Sequence, residues 1–267
     1  MKNKVVVITG ASSGIGEALA RVFSSKGARL VIGARRKERL EELASELATE
    51  VVCVSTDVSI EEDCKHLIDT AVERFGQIDV LINNAGISMR ALFNDLELDV
   101  LKNVMDVNFW GTVYCTKYAL PYIVKTKGSI VGVISIAGYV GLPGRTGYAA
   151  SKFAVRGFLD SVRIENMHHG VHVLVAAPGF TSSEIRTKAL VEDGSTQGET
   201  PRNESKMMSS ETCANHILKA VVKRKRSIIL TFVEGKFTVF LSKVFPSLLD
   251  RLTFNHMAKE PNSPFSK

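Results

Sequence analysis

The stretch "VVVITGASSGIG", residues 5–16, constrains this chain more than any other. Its run of β-branched apolar residues reads as a buried strand, and a glycine-rich turn follows directly to open a helix. Gly10 allows the tight turn, and Gly14 removes a side chain where backbone must approach a phosphate. Gly16 permits close packing of the helix. The helix N-terminus then offers free amides and a partial positive charge to a pyrophosphate. In strand–turn–helix context this is the pattern of a dinucleotide site.

The same rhythm continues along the chain. "RLVIG", "VVCVSTD", "DVLINNAG", "SIVGVIS", "VHVLVAAPG" and "SIILTF" are further apolar strand candidates, with helical segments between most of them. In "SIEEDCKHLIDTAVERFG" the apolar residues recur at helical spacing, Ser59 and Glu62 form a capping box, and Gly76 ends the helix. Short apolar strands separated by helices predict a parallel sheet covered on both faces. The expected architecture is a single α/β, doubly wound, Rossmann-type domain over residues 1–267, with about seven strands in its central sheet.

Composition narrows the setting. The chain has 267 residues, 45% of them hydrophobic and 23% charged, enough to bury a sizeable core. Cys53, Cys64, Cys115 and Cys213 form no CxxC pair, which points to reduced thiols and a cytoplasmic location. The "HHGVH" cluster (His168, His169, His172) lacks further partners for a metal and reads as a helix-to-strand turn, so no metal site is expected. The amino terminus starts at once with a strand, without a charged-then-apolar leader. No apolar run approaches the ~20 residues of a spanning helix. The formal charge of +6 fits a polyanionic small molecule; there is no nucleic-acid-binding signature.

The end of the second strand distinguishes between dinucleotides. An NAD site usually has an acidic residue there for the ribose hydroxyls. Here "GARRK" puts Arg35 and Arg36 in that place. A guanidinium fork suits a 2′-phosphate, so NADP(H) is the expected cofactor.

Taken together, "TGASSGIG", Asp57, "NNAG" (residues 83–86), "VNFWG" with Asn108, Ser135, "YAASK" with Tyr148 and Lys152, and "PG" (Pro178, Gly179) resemble the short-chain dehydrogenase/reductase family. The likeness runs from Val5 to about Phe232 and suits the family's compact branch. It implies a cofactor held by Gly10, Ser12, Ser13, Gly14, Ile15 and Gly16, with Asp57 and Val58 near the adenine. Asn84, Ala85 and Gly86 would back the ribose, with Pro178, Gly179 and Thr181 near the nicotinamide. Thr181 and Ser183 depart from the family's usual large aliphatic residue and threonine. Tyr148 and Lys152, four apart, share a helix face. An adjacent ammonium lowers a phenol's pKa, so the resemblance makes Tyr148 the acid/base and Lys152 its partner and ribose ligand. Ser135 would polarise a carbonyl, and Asn108 would help hold a proton-relaying water.

The substrate is less legible. Tyr139, Val140, Leu142, Phe180 and Leu190 form an apolar-tolerant wall, and the polar stretch within residues 185–209 reads as a flexible lid. The extension at 234–267 carries Phe237, Phe240, Leu241, Val244, Phe245, Leu248 and Leu249 at roughly helical spacing, interrupted at Pro246. Such a stripe buries against the protein or a partner, or docks on a membrane with help from "KRKR" at 223–226. The tail weakly resembles hydroxysteroid dehydrogenase-related members. Pairing through the Asn108 and Tyr148 helices would give a homodimer or homotetramer. The leading expectation is an NADP(H)-dependent reductase of an apolar ketone or aldehyde, or the reverse oxidation of a secondary alcohol. A 3-oxoacyl thioester reductase is the alternative, with Arg90, Arg145 and Arg186 at the pocket mouth for a carrier phosphate. From another class comes a non-catalytic NADP-binding sensor or scaffold.

Overall fold

Seven strands form one parallel sheet in the order β3-β2-β1-β4-β5-β6-β7 in the computed structural model, which describes residues 1–200 and 207–266. The strands are β1 (Val5–Thr9), β2 (Arg29–Ala34), β3 (Val51–Ser55), β4 (Val80–Asn83), β5 (Ser129–Val133), β6 (His172–Ala177) and β7 (Ser227–Ile229). Successive side chains of a strand face opposite sides, and each side here is apolar. Val6, Ile8, Leu30, Ile32, Val131 and Leu174 join one core, while Val7, Val31, Ile130, Val173 and Val175 join the other. This two-sided burial explains the continuous apolar runs seen in the sequence.

Helices α1 (Gly14–Ser24), α2 (Lys37–Ser45) and α7 (Ser210–Val222) cover the first face through Leu19, Phe23, Leu40, Leu43, Ile217 and Leu218. Helices α3 (Glu61–Phe75), α5 (Gly111–Thr126) and α6 (Thr146–Glu165) cover the second through Leu67, Ile68, Cys115, Ile123, Val155 and Leu159. The short α4 (Leu98–Met105) packs beside a smaller cluster of Met89, Leu96, Val100 and Val104. A parallel order that reverses between β1 and β4 leaves a crevice outside the strand carboxyl ends, where ligands of such sheets bind.

One local expectation is corrected. Ser59 does not cap α3: its hydroxyl donates to the Asp57 carboxylate at 2.7 Å, and its amide donates to the same oxygen at 3.0 Å. This turn delays the helix, whose N-cap is Ile60. The stop at Gly76 is as read, with φ at 72°. In the histidine cluster, His172 lies in β6 between the Ser129 hydroxyl (3.0 Å) and the Lys225 carbonyl (2.9 Å).

Residues 181–199 fold back on themselves rather than hang free. Leu190 pairs with Met89, the Leu190 amide donates to the Ser88 carbonyl at 2.9 Å, and the Gln197 amide donates to the Ala189 carbonyl at 2.8 Å. The expected lid extends over residues 201–206, which lie outside the described residues.

The extension forms α8 (Thr238–Val244) and α9 (Pro246–Ala258); the helical stripe is interrupted at Pro246 as expected, and the proline opens the second helix. Leu241 and Leu249 bury against the second core, but Phe237, Phe240, Val244, Phe245 and Leu248 stand roughly half exposed. The "KRKR" stretch is not beside them. Arg224 donates to the Lys127 and Gly170 carbonyls at the amino-terminal edge of β5 and β6. Meanwhile Asp250, Thr253 and Phe254 of α9 meet the 141–146 loop and the first turns of α6, at the opposite edge.

Candidate active site

The glycine turn is locked onto β4 by contacts that no side chain at Gly10 or Gly16 would permit. A Cβ on Gly16 would come within 2.2 Å of the Gly10 carbonyl oxygen and 2.6 Å of Asn84 Nδ2, while Gly10 itself has φ at 67°. The Asn84 side chain donates to the Thr9 and Gly10 carbonyls at 3.0 and 3.2 Å, and the Asn84 and Ala85 amides both donate to the Thr9 hydroxyl. Ser13, the N-cap of α1, makes no side-chain capping bond, so the first-turn amides of Gly14, Ile15 and Gly16 are left to a ligand. This cradle fits a pyrophosphate.

The basic residues after β2 separate into two kinds. Arg35 is exposed, whereas Arg36 reaches across the turn and donates to the Ser12 and Ser13 hydroxyls, both at 3.1 Å. Arg36 and Arg39 also meet the Glu184 carboxylate at 3.3 and 3.0 Å. Asp57, two residues past the end of β3, is occupied by its Ser59 turn, and buried Val58 packs on Gly111. Pro178 and Gly179 directly follow β6, and Gly179 is pressed so closely on Thr231 that a Cβ would lie 2.4 Å from its hydroxyl. Thr181 is buried and donates to the Gly179 carbonyl at 3.2 Å.

Ser135, Tyr148, Lys152 and Asn108 converge at the carboxyl end of β5. Ser135 is extended; its Oγ accepts the Ala137 amide at 3.2 Å, and its hydroxyl hydrogen-bonds the Tyr148 phenol. Lys152 is 4% exposed; its ammonium donates to the Val133 carbonyl at 3.1 Å and lies 5.8 Å from the Tyr148 ring centre. Asn108 sits in a π-turn at Asp106–Trp110 that turns its side chain inward between α4 and α5. There its Oδ1 accepts the Ile87 amide at 2.8 Å, and its Nδ2 donates to the Ile87 carbonyl and the Ser151 hydroxyl. Gly86 makes room for this meeting, since a Cβ there would stand 3.0 Å from Asn108 Oδ1 and 3.2 Å from Lys152 Nζ.

The electrostatics depart from the sequence expectation. Burial pushes the Tyr148 phenol above its ordinary pKa, partly offset by a hydrogen bond with the Ser135 side chain and by the charges of Arg145 and Arg186. Burial also lowers Lys152 to about 8, so the ammonium that faces the tyrosine at pH 7 is lost within a unit or two above it. The depressed phenol pKa read from a Tyr–Lys pair is therefore not a property of these protein groups alone.

On the substrate side, Met89 and Leu190 pack with Tyr148 in one cluster. Of the expected apolar wall, Val140 is buried in the second core, and Tyr139 lies under the Arg156 guanidinium at 4.0 Å. Arg90, Arg145 and Arg186 are not free at a pocket mouth; each is 7% exposed. Arg90 binds Glu260 and the Pro261 carbonyl, Arg145 the Ser88 hydroxyl, and Arg186 the Thr181 carbonyl. Sequence reasoning missed Arg39, Glu184, Met89 and Ser151. Arg39 was detectable as the next basic residue one turn into α2; the others depend on tertiary contact.

Three comparisons bear on this geometry. The short chain dehydrogenase family model matches residues 4–193. The chain is 38% identical to dehydrogenase/reductase SDR family member 7B of Bos taurus, covering 100% of this chain and 85% of that one. It is 40% identical to 11-beta-hydroxysteroid dehydrogenase 1A of Arabidopsis thaliana, covering 84% and 67%. Among solved structures, an alcohol dehydrogenase from the archaeon Thermococcus sibiricus, complexed with 5-hydroxy-NADP, superimposes with a TM-score of 0.75 at 28% identity over 86% of this chain and 96% of that one. A short chain dehydrogenase/reductase from Burkholderia phymatum in complex with NAD gives 0.76 at 26% identity, covering 85% and 88%.

Proposed function

Because the chain belongs to the short-chain dehydrogenase family of oxidoreductases, we propose that it is an NADP(H)-dependent enzyme reducing an apolar ketone or aldehyde, or oxidising the corresponding secondary alcohol. The observation that carries this reading is the convergence of Ser135, Tyr148, Lys152 and Asn108 around Gly86, beside the glycine cradle.

When bound, the nicotinamide cofactor supplies or accepts the hydride, and its positive charge in the oxidised form favours the phenolate. The protein's part is proton transfer and placement. Ser135 holds the substrate oxygen and polarises it, since its own Oγ is already fixed by the Ala137 amide. Tyr148 delivers the proton to that oxygen in reduction and takes it back in oxidation. Lys152 holds the ribose and is positioned by the Val133 carbonyl. Asn108 fixes Ile87 and Ser151 and so shapes the floor through which a water-borne proton reaches Lys152.

The choice of NADP(H) rests on Arg36, with Arg39 behind it. We expect NADPH to bind at least about tenfold more tightly than NADH, ~1.4 kcal/mol, and Arg36→Ala to erase most of that difference. Equal dissociation constants in the parent protein would end this reading. The engagement of Arg90, Arg145 and Arg186 counts against a 3-oxoacyl thioester reductase.

Two surfaces extend the proposal. Trp110, at the end of the π-turn that leads into α5 and stacked on Tyr114, and Phe153 on α6 are exposed, and support a homodimer or homotetramer through these helices. On the tail, Phe237, Phe240, Phe245 and Leu248 stand exposed beside Lys236 and Lys243, and no helix among the described residues is long and apolar enough to cross a membrane. A peripheral contact with an anionic bilayer fits such a face. The protein should sediment with phosphatidylserine vesicles at low salt, and Phe240→Ser with Phe245→Ser should weaken this by about tenfold or more. No sedimentation of the parent protein at low salt would remove the idea.

A further inference from the structure

Glu184 stands where the cofactor's phosphate chemistry and the substrate wall meet. Its carboxylate lies 3.3 Å from Arg36 and 3.0 Å from Arg39, and it pairs with Lys188 four residues onward in the same turn. Arg36 is at the same time fixed over the glycine turn by Ser12 and Ser13. The neighbouring Ser183 rests on Gly14, where a Cβ would be only 3.1 Å away. The segment then runs, held by the Arg186–Thr181 and Lys188–Glu184 hydrogen bonds, to Leu190, which is paired with Ser88 and Arg90 beside Tyr148's cluster.

We infer that Glu184 competes with the cofactor's 2′-phosphate for Arg36 and Arg39, so that a 2′-phosphorylated dinucleotide releases the 183–190 segment and NADH does not. This rests on the NADP(H) reading above and adds a coupling to it: the identity of the cofactor is transmitted to the wall of the substrate site. The contest is between two anions, because Lys188 first, with Arg39, holds the Glu184 carboxyl down to about 2. The carboxylate is the weaker contestant. Arg36 and Glu184 are each over a third exposed, and such solvent-facing pairs contribute little. A phosphate brings more charge and a bidentate fit to the same guanidinium. Lys188 leaves with Glu184, since both lie on the moving segment, so release strands no carboxylate without a counterion.

The test titrates the full chain with NADPH and NADH, as the parent protein, Glu184→Gln and Arg36→Ala. Glu184→Gln should bind NADPH about three- to tenfold more tightly, with NADH unchanged within about twofold. In the parent protein, adenosine 2′,5′-bisphosphate should speed amide exchange across 183–190, whereas ADP, lacking the 2′-phosphate, should not. NADPH affinity that is unchanged or weaker in Glu184→Gln, or exchange that responds alike to both nucleotides, overturns the competition. If the parent protein fails to discriminate NADPH from NADH, the NADP(H) reading itself has failed. If it discriminates and Arg36→Ala does not, an inert Glu184→Gln sinks this inference alone.

Discussion

Tyr148→Phe should lower turnover by about 100-fold or more while leaving NADPH affinity within about threefold. The ring packs with Met89 and Leu190, and phenylalanine keeps that apolar contact. Only the hydroxyl is lost, and with it the proposed proton donor and its hydrogen bond with Ser135. The side chain is only partly buried, and losing one hydroxyl hydrogen bond should cost about 1 kcal/mol of stability, too little for the loss of rate to be assigned to unfolding. Steady-state kinetics and a fluorescence titration on the same preparation check both halves. Turnover retained within a few-fold would require another acid.

Lys152→Met should produce a loss of similar size in rate, together with weaker cofactor binding, and yet a more stable protein at pH 7. The side chain is almost fully buried, and burial depresses its pKa from 10.5 to about 8. The unfolded chain therefore holds this proton more tightly than the folded one. Below pH 8 the folded protein carries the full cost of a buried ammonium, on the order of 1–3 kcal/mol once the lost Val133 hydrogen bond is set against it. As pH rises from 8 toward 10.5, the folded group is neutral and the cost fades. The stability advantage of Lys152→Met should be largest at pH 6–7 and shrink through that window, as thermal unfolding at several pH values would reveal. A mutant less stable than the parent protein at pH 7 would mean that Lys152 is held as a favourable ion rather than a strained one.

The legible features of this chain were those written locally. Continuous apolar strands such as residues 5–9 announce burial on both faces, and Tyr148 and Lys152 share one helix face, so their nearness follows from spacing alone. The cradle was readable because each of its glycines answers a steric demand within a few residues or against the "NNAG" turn. Features that depend on distant segments were not. Glu184 reaches Arg36 across 148 positions, and Arg90 finds Glu260 across 170, which turned an expected phosphate-reading arginine into a buried structural one. The π-turn around Asn108 inserts an extra residue into the helix and aims a side chain that regular periodicity would misplace. The tail's spacing was right, but spacing cannot tell a stripe that buries from one that remains exposed; Leu249 does the first and Leu248 the second. The tyrosine's pKa without cofactor is set by a quantity that spacing does not show: burial raises it by more than the hydrogen bond and charges around it lower it.

The central claim is hydride transfer from NADPH to an apolar carbonyl with Tyr148 as the acid. The most direct measurement follows NADPH absorbance while the protein is offered ketones, diketones, steroids and acyl thioesters, with Tyr148→Phe run in parallel. The account predicts turnover of an apolar ketone, poor use of the acyl thioesters, and near silence in the mutant. NADPH bound tightly with no consumption across the panel, or consumption that Tyr148→Phe leaves intact, would contradict it.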